Sequence, residues 1–236
     1  MNLTLVQSFL RQRLTSPLRL VMLGFGFVSP LGIVAFTRQL GTLEGSAGWF
    51  ALILAAGAIG QEVSSGVLTL TFARPVTRPA YVFSRWAGAG GFAAALGLAQ
   101  IAAGLMAIAA RGGPLPPGAA VTALAIECVL LALTSAAVMV MLSSLVNGLG
   151  DVAIWAMGTT LATFAGAIAQ SRNWTALERA AQEVQLTLMP SLHVGWLFGA
   201  GDPQPYALIA VLSTLAASLA VAVWVVNRKE LSYAAG

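Results

Sequence analysis

Long apolar runs separated by short polar breaks dominate the chain, and the first residues differ from the rest. Leu3, Val6, Phe9, Leu10 and Leu14 recur at helical spacing, with Gln7, Arg11, Gln12 and Arg13 between them. That pattern predicts an amphipathic helix in a membrane interface over residues 1–16. Pro17 turns the chain into an apolar run over residues 18–37. At about 1.5 Å per residue this suits a bilayer core of about 30 Å, and Pro30 within it predicts a kink. A polar loop over 38–48 leads to a second run over 47–60, short for a crossing, so its helix is expected to continue through Glu62. A third run covers 80–110 and carries Gly88, Gly90, Gly91, Gly97 and Gly104, which permit close helix approach. The Gly/Pro-rich stretch 111–118 is a breaker loop. A fourth run over 119–146 turns tightly through 147–151 into a fifth over 152–169, with Asp151 expected as its N-cap; the last covers 205–226.

The connection 170–204 is too patterned for a loop. Thr175-Ala-Leu-Glu178 matches a capping box. Trp174, Leu177, Ala181, Val184 and Leu188 share one face, opposite Glu178, Gln182, Glu183 and Gln185. This predicts an amphipathic helix on the membrane surface, ended by Pro190, with residues 191–200 apolar enough to dip back in. The expected fold is all-α and membrane-embedded. It has six transmembrane helices, an N-terminal interfacial helix, a short element over 61–79 between helices 2 and 3, and an amphipathic/re-entrant segment before helix 6. One transmembrane domain fills residues 1–236.

Composition agrees. Apolar residues make up 58% and charged residues 8%, with mean hydropathy +0.85; soluble domains carry about 25% charged residues. No length remains for a soluble catalytic domain beside the spans. The net charge of +4 is spread along the chain, so nucleic acid is not an expected partner. Its distribution is topogenic: Arg11, Arg13, Arg19, Arg74, Arg78, Arg85, Arg228 and Lys229 fall on one side of a six-span layout, and Arg38, Arg111, Arg172 and Arg179 on the other. That bias predicts an inner-membrane protein with both termini cytoplasmic and 170–204 facing outward. The lone Cys128 excludes a disulfide within the chain, and neither a cleavable signal peptide nor a solenoid-length repeat is evident.

The candidate chemistry concentrates in residues 61–85, QEVSSGVLTLTFARPVTRPAYVFSR. Ser64-Ser65-Gly66 makes a small-residue turn, and Pro75 and Pro79 break any continuous helix at Arg74 and Arg78. A short, bent, basic element between two spans results. Glu62-x-x-x-Gly66, Leu68, Leu70 and Arg74-Pro75-Val76-Thr77-Arg78 resemble the E-x-x-x-G…P-V-S/T-R signature of ABC type-2 permeases, the membrane subunits of many exporters. The general layout is similar too, down to the ending Arg228-Lys229-Glu230-Leu231. The resemblance implies a transport subunit and not an enzyme, paired with a second permease or homologue and with separate ATPase subunits. ATP and Mg²⁺ belong to those partners, with no cofactor in this chain. It also implies that Glu62, Gly66, Leu68, Leu70, Phe72, Arg74, Pro75 and Arg78 grip the ATPase, while Arg74 and Arg78 can also meet lipid phosphates.

Other readings are weaker. Glu127 lies inside the fourth span, where a carboxylate is expensive and faces a bundle interior or a wet cavity; with Gln100 it is a candidate for the substrate path. The alternatives for Glu127 are a bond to neighbouring hydroxyls and a protonated, structural role. Pro190-Ser191-Leu192-His193 resembles the P-S-x-H element of membrane lipid phosphatases. That chemistry needs a second histidine and a basic phosphate cradle, and the chain has one His and one Lys. His193 is therefore read as an interfacial polar residue beside Trp196. Lys229 lies outside any G-x-x-x-x-G-K-[ST] sequence, so no P-loop is present, and no His/Cys cluster suits a metal. A secondary transporter or scaffold remains the other class; the transporter predicts several intramembrane charges and broken helices related by a repeat.

Overall fold

The computed structural model describes residues 3–73, 76–199 and 203–229, apart from the side chains of 69 and 70. Its helices are α1 (Leu3–Leu14), α2 (Pro17–Thr37), α3 (Ser46–Ala55), α4 (Gly60–Ser64), α5 (Val67–Phe72), α6 (Arg78–Ala110), α7 (Gly118–Leu145), α8 (Gly150–Arg172), α9 (Thr175–Leu188) and α10 (Pro205–Arg228). Short 3₁₀ turns cover Leu40–Leu43 and Gly195–Phe198, and the described residues contain no strand. Six helical segments are long and apolar enough to cross a membrane: α2, Leu40–Ser64, α6, α7, α8 and α10. The chain is thus all-helical, with the sequence and length of a multi-pass membrane protein.

The second and fourth crossings form the centre, with 67% of each apolar stretch buried, against 11% for the first and 17% for the fifth. Phe50, Ala51, Leu54 and Ala55 of α3 meet Ala132, Ala136, Val138 and Met139 of α7 in one buried cluster. Small residues let backbones approach there. A Cβ on Gly90 would press on Leu133 and Ala136, and one on Gly97 would collide with Cys128 and Ala47. Rim helices instead turn large apolar side chains outward, including Phe25, Phe36, Leu161 and Phe164, as lipid contact requires.

Three expectations need correction. The second-span helix does not continue through Glu62; it ends at Ala55, turns over 56–59 and restarts at Gly60. Gly57 at φ +66 supplies the left-handed residue of that turn. The capping box does not form, because Thr175 is already the first helical residue after Trp174 and makes no capping bond. Asp151 is likewise not the cap of α8, which Leu149 occupies.

α9 folds back along α8 as an antiparallel hairpin. Asn173 at φ +55 and a Trp174 N–H to Ala169 carbonyl bond of 2.8 Å make the turn. Ala181 then sits against Gly166, Leu188 against Gly158, and the Trp155 indole N–H donates to the Leu188 carbonyl at 2.9 Å. Of the predicted apolar face, Ala181 and Leu188 are covered in this way, while Trp174, Leu177 and Val184 stay exposed. Beyond α9, Leu192 and Val194 pack on Ala123 and Leu131 of α7 and Val211 of α10.

Candidate functional site

At the end of the bundle that carries α1, the break in the second crossing gathers the polar side chains. A break within an apolar segment frees N–H and C=O groups, and each needs a partner away from water. The Arg13 guanidinium donates to the carbonyls of Ala56 (2.9 Å) and Gly57 (2.8 Å) and to Gln61 Oε1 (3.0 Å). Arg19 donates to the Ala56 carbonyl and Gln61 Oε1, both at 3.3 Å. The Gly57 N–H donates to Asp151 Oδ2. Ile59 and Gly60 N–H groups donate to Ser143 Oγ at 3.0 and 2.9 Å, and the Gly60 carbonyl accepts from Gly148 N–H at 2.8 Å. A Cβ at Gly60 would collide with the carbonyls of Val146 and Gly148. Arg13 is only 1% exposed. Burial, reinforced by repulsion from Arg19 and Arg85, lowers its pKa to about 10, so it remains a cation at neutral pH.

Glu62 lies one turn further on and points inward. Its carboxylate forms an ion pair with Arg85, with side chains 4% and 6% exposed, and accepts a 2.6 Å hydrogen bond from the Tyr81 hydroxyl. The Phe9 ring lies between two cations, 5.1 Å from Arg13 and 5.0 Å from Arg85. The N-terminal helix α1, the broken span and α6 therefore share one buried cluster. Burying an ion pair is not itself a large gain, but removing one partner leaves an uncompensated charge and costs about 3–5 kcal/mol.

The residues singled out by sequence divide accordingly. Leu68 is buried, and Phe72 is half-buried, its ring 5.3 Å from Tyr81 and 5.9 Å from the Arg78 guanidinium. Gly66 is exposed, at φ +72. Arg78 donates to the carbonyls of Val226 and Asn227, capping the end of α10. Arg74, Pro75 and the side chain of Leu70 lie outside the described residues, as do Glu230 and Leu231. Sequence reasoning missed Arg13, Tyr81, Arg85, Ser143 and Asp151 as one cluster. One signal was available: Tyr81 and Arg85 stand one helical turn apart, with Glu62 the sole acid nearby in sequence.

Gln100 is wholly buried, and its amide donates to the carbonyls of Gly26 (3.1 Å) and Phe27 (2.8 Å). Pro30 has no N–H to offer the carbonyl four residues before it, which is that of Gly26. Gln100 replaces the missing donor.

At the opposite end, Glu127 is 6% exposed and its Oε1 accepts the Val194 N–H. Glu44 and His193 pair at 3.2 Å. Two cavities adjoin this pair, of about 570 Å³ and about 620 Å³, and both include Glu44 and His193 in their walls. Glu127 faces the larger. Among the described residues no three His, Cys, Asp or Glu side chains gather to hold a metal ion. No protein-family model matches this chain, and no curated protein does.

Proposed function

We propose that this chain is the membrane subunit of an ATP-driven ABC exporter of the type-2 class, lining the translocation path with a second permease and driven by separate ATPase subunits. It lies in the inner membrane with both termini cytoplasmic. The observation that carries the reading is the tie between the signature and the bundle. The element after the second crossing is joined through Glu62–Arg85–Tyr81 to α6 and through Gln61–Arg13 to α1. A force applied to α4 and α5 is thereby delivered to spans instead of being lost in a slack loop. In this arrangement Glu62 and Leu68 are the internal anchor. Gly66 and Arg74 belong to the partner-facing part, Arg78 couples the element to α10, and Phe72 bridges the two.

A break in one crossing also favours a secondary transporter, whose ion sites use unwound backbone. Here the carbonyls of Ala56 and Gly57 are occupied by Arg13 and Arg19, which would repel a coupling cation. The exporter reading is therefore preferred.

Native-membrane affinity purification tests it. The expected companion is a protein with a P-loop, lost on Arg74→Glu. Arg74 is the preferred site because reversing Arg78 would also uncap α10. Recovery of the chain with no nucleotide-binding protein, or an undiminished complex with Arg74→Glu, rejects the proposal.

A further inference from the structure

Glu127 presents an unsolved charge problem. It is more than nine-tenths buried, only its Oε1 has a hydrogen-bond partner, and among the described residues no Arg, Lys or His forms an ion pair with it. A carboxylate so placed, one oxygen bonded and the other open to a cavity, favours a proton or a cationic partner over a bare charge. It faces a cavity of about 620 Å³, within the range of about 300–1,000 Å³ that holds small organic ligands. Glu44 supplies a second carboxylate in the same wall, next to the neighbouring cavity of about 570 Å³. Glu44 is held by His193, which shares this wall, so the carboxylate without an ion-pair partner is Glu127, and the fixed cation of the larger cavity is Arg38, exposed at its rim. Leu124 and Trp196 line the larger cavity and Trp49, Leu131 and Leu192 the smaller, giving apolar and aromatic walls beside the acids.

We propose that these adjoining cavities bind an organic cation with an apolar body, its ammonium group against Glu127 and its body along the Trp and Leu walls. As a transported substrate such a compound rests on the exporter reading; as a ligand it does not. Val194 fixes one carboxylate oxygen, so the other is oriented towards the cavity. The Glu44–His193 pair stands between the two chambers, and a body too long for one reaches the other past it.

The test uses the purified full chain in detergent, without nucleotide or partner. The probes are a dansylated hexyl-trimethylammonium and its uncharged hexanol analogue. Saturable binding of the cation, about tenfold or more tighter than the neutral compound, is expected. Glu127→Gln preserves shape and the acceptor for Val194, and should remove that preference while leaving the neutral probe unchanged. Glu183→Gln, on an exposed face of α9, should change nothing. Equal affinity for the two probes, no saturable binding, or a cation preference surviving in Glu127→Gln overturns the proposal, the last leaving Glu127 as a protonated structural acid. Should Glu127→Gln unfold, Glu127→Asp, which keeps the charge on a shorter arm, is expected to weaken the cation more than the neutral probe, and equal effects on the two overturn the proposal. Failure here leaves the ATPase co-purification result untouched, so the two proposals fail separately.

Discussion

At the residue scale, Arg13 and Gln100 each repair a particular backbone defect, and this makes their replacement predictable. Arg13→Ala leaves the Ala56 and Gly57 carbonyls without their main donors, at about 1–3 kcal/mol for each unsatisfied group. Arg13→Lys keeps the charge but loses the fork that spans both carbonyls. Thermal unfolding in detergent should fall steeply for the alanine variant and recover only partly for lysine; an unchanged midpoint for alanine would discard the capping role. Gln100→Leu should cost about 1–2 kcal/mol for its buried hydrogen bonds. Adding Pro30→Ala returns an N–H to the Gly26 carbonyl, so the double variant should be more stable than Gln100→Leu alone. If it is no better, the pairing of Gln100 with the proline defect is wrong.

Glu62 and Arg85 behave as a unit at the same scale. Glu62→Gln or Arg85→Met should each destabilise by about 3–5 kcal/mol by stranding the other charge. The double variant is expected to lose less than the sum, by a coupling energy of up to about 3 kcal/mol. Strict additivity in that cycle would show that the two charges do not compensate one another.

At the element scale, α9 is the informative helix. Its face of Ala181 and Leu188 rests on Gly166 and Gly158 of α8, so it lies alongside a crossing. With Cys128 replaced by serine, cysteines at 158 and 188 should form a disulfide readily, and cysteines at 158 and 177 should not. A helix lying flat at the outer surface would give no 158–188 product. The proximity also predicts that Gly158→Leu, by forcing Leu188 away, loosens the hairpin. A gain in protease cleavage within 173–190 reads that loosening.

At the scale of the whole molecule, burial runs from the centre outward, and polar sites lie at the two ends of the bundle. One end holds the Arg13–Gln61–Glu62–Arg85 cluster on the broken span; the other holds Glu44, Glu127 and His193 around the cavities. α7 joins them, contributing Ser143 to the first and Glu127 to the second. α7 is packed on α3, α6 and α10, and α3 also runs from the break to the smaller cavity, where Gly48, Trp49 and Leu52 stand in the wall, so two helices hold the far cavities in place. Ser143→Ala should therefore weaken the break by about 1–3 kcal/mol and leave unliganded cavity accessibility, read by labelling a cysteine at position 193, unaltered in the folded protein.

Hydropathy alone determined the number and approximate limits of the long helices, because apolar length and helical period are properties of local sequence. Local sequence also located the bent element at 61–79, where glycine permits a left-handed turn and proline bars a continuous helix whatever surrounds them. Tertiary structure decided the rest. Gln100 reads as a path-lining polar residue until Pro30 is seen across from it, and Asp151 reads as a cap until Gly57 takes its carboxylate. The second span reads as one helix until side chains from α1, α7 and α8 are in place to satisfy a break. Partnership between groups distant in sequence is a property of packing, and no periodicity records it.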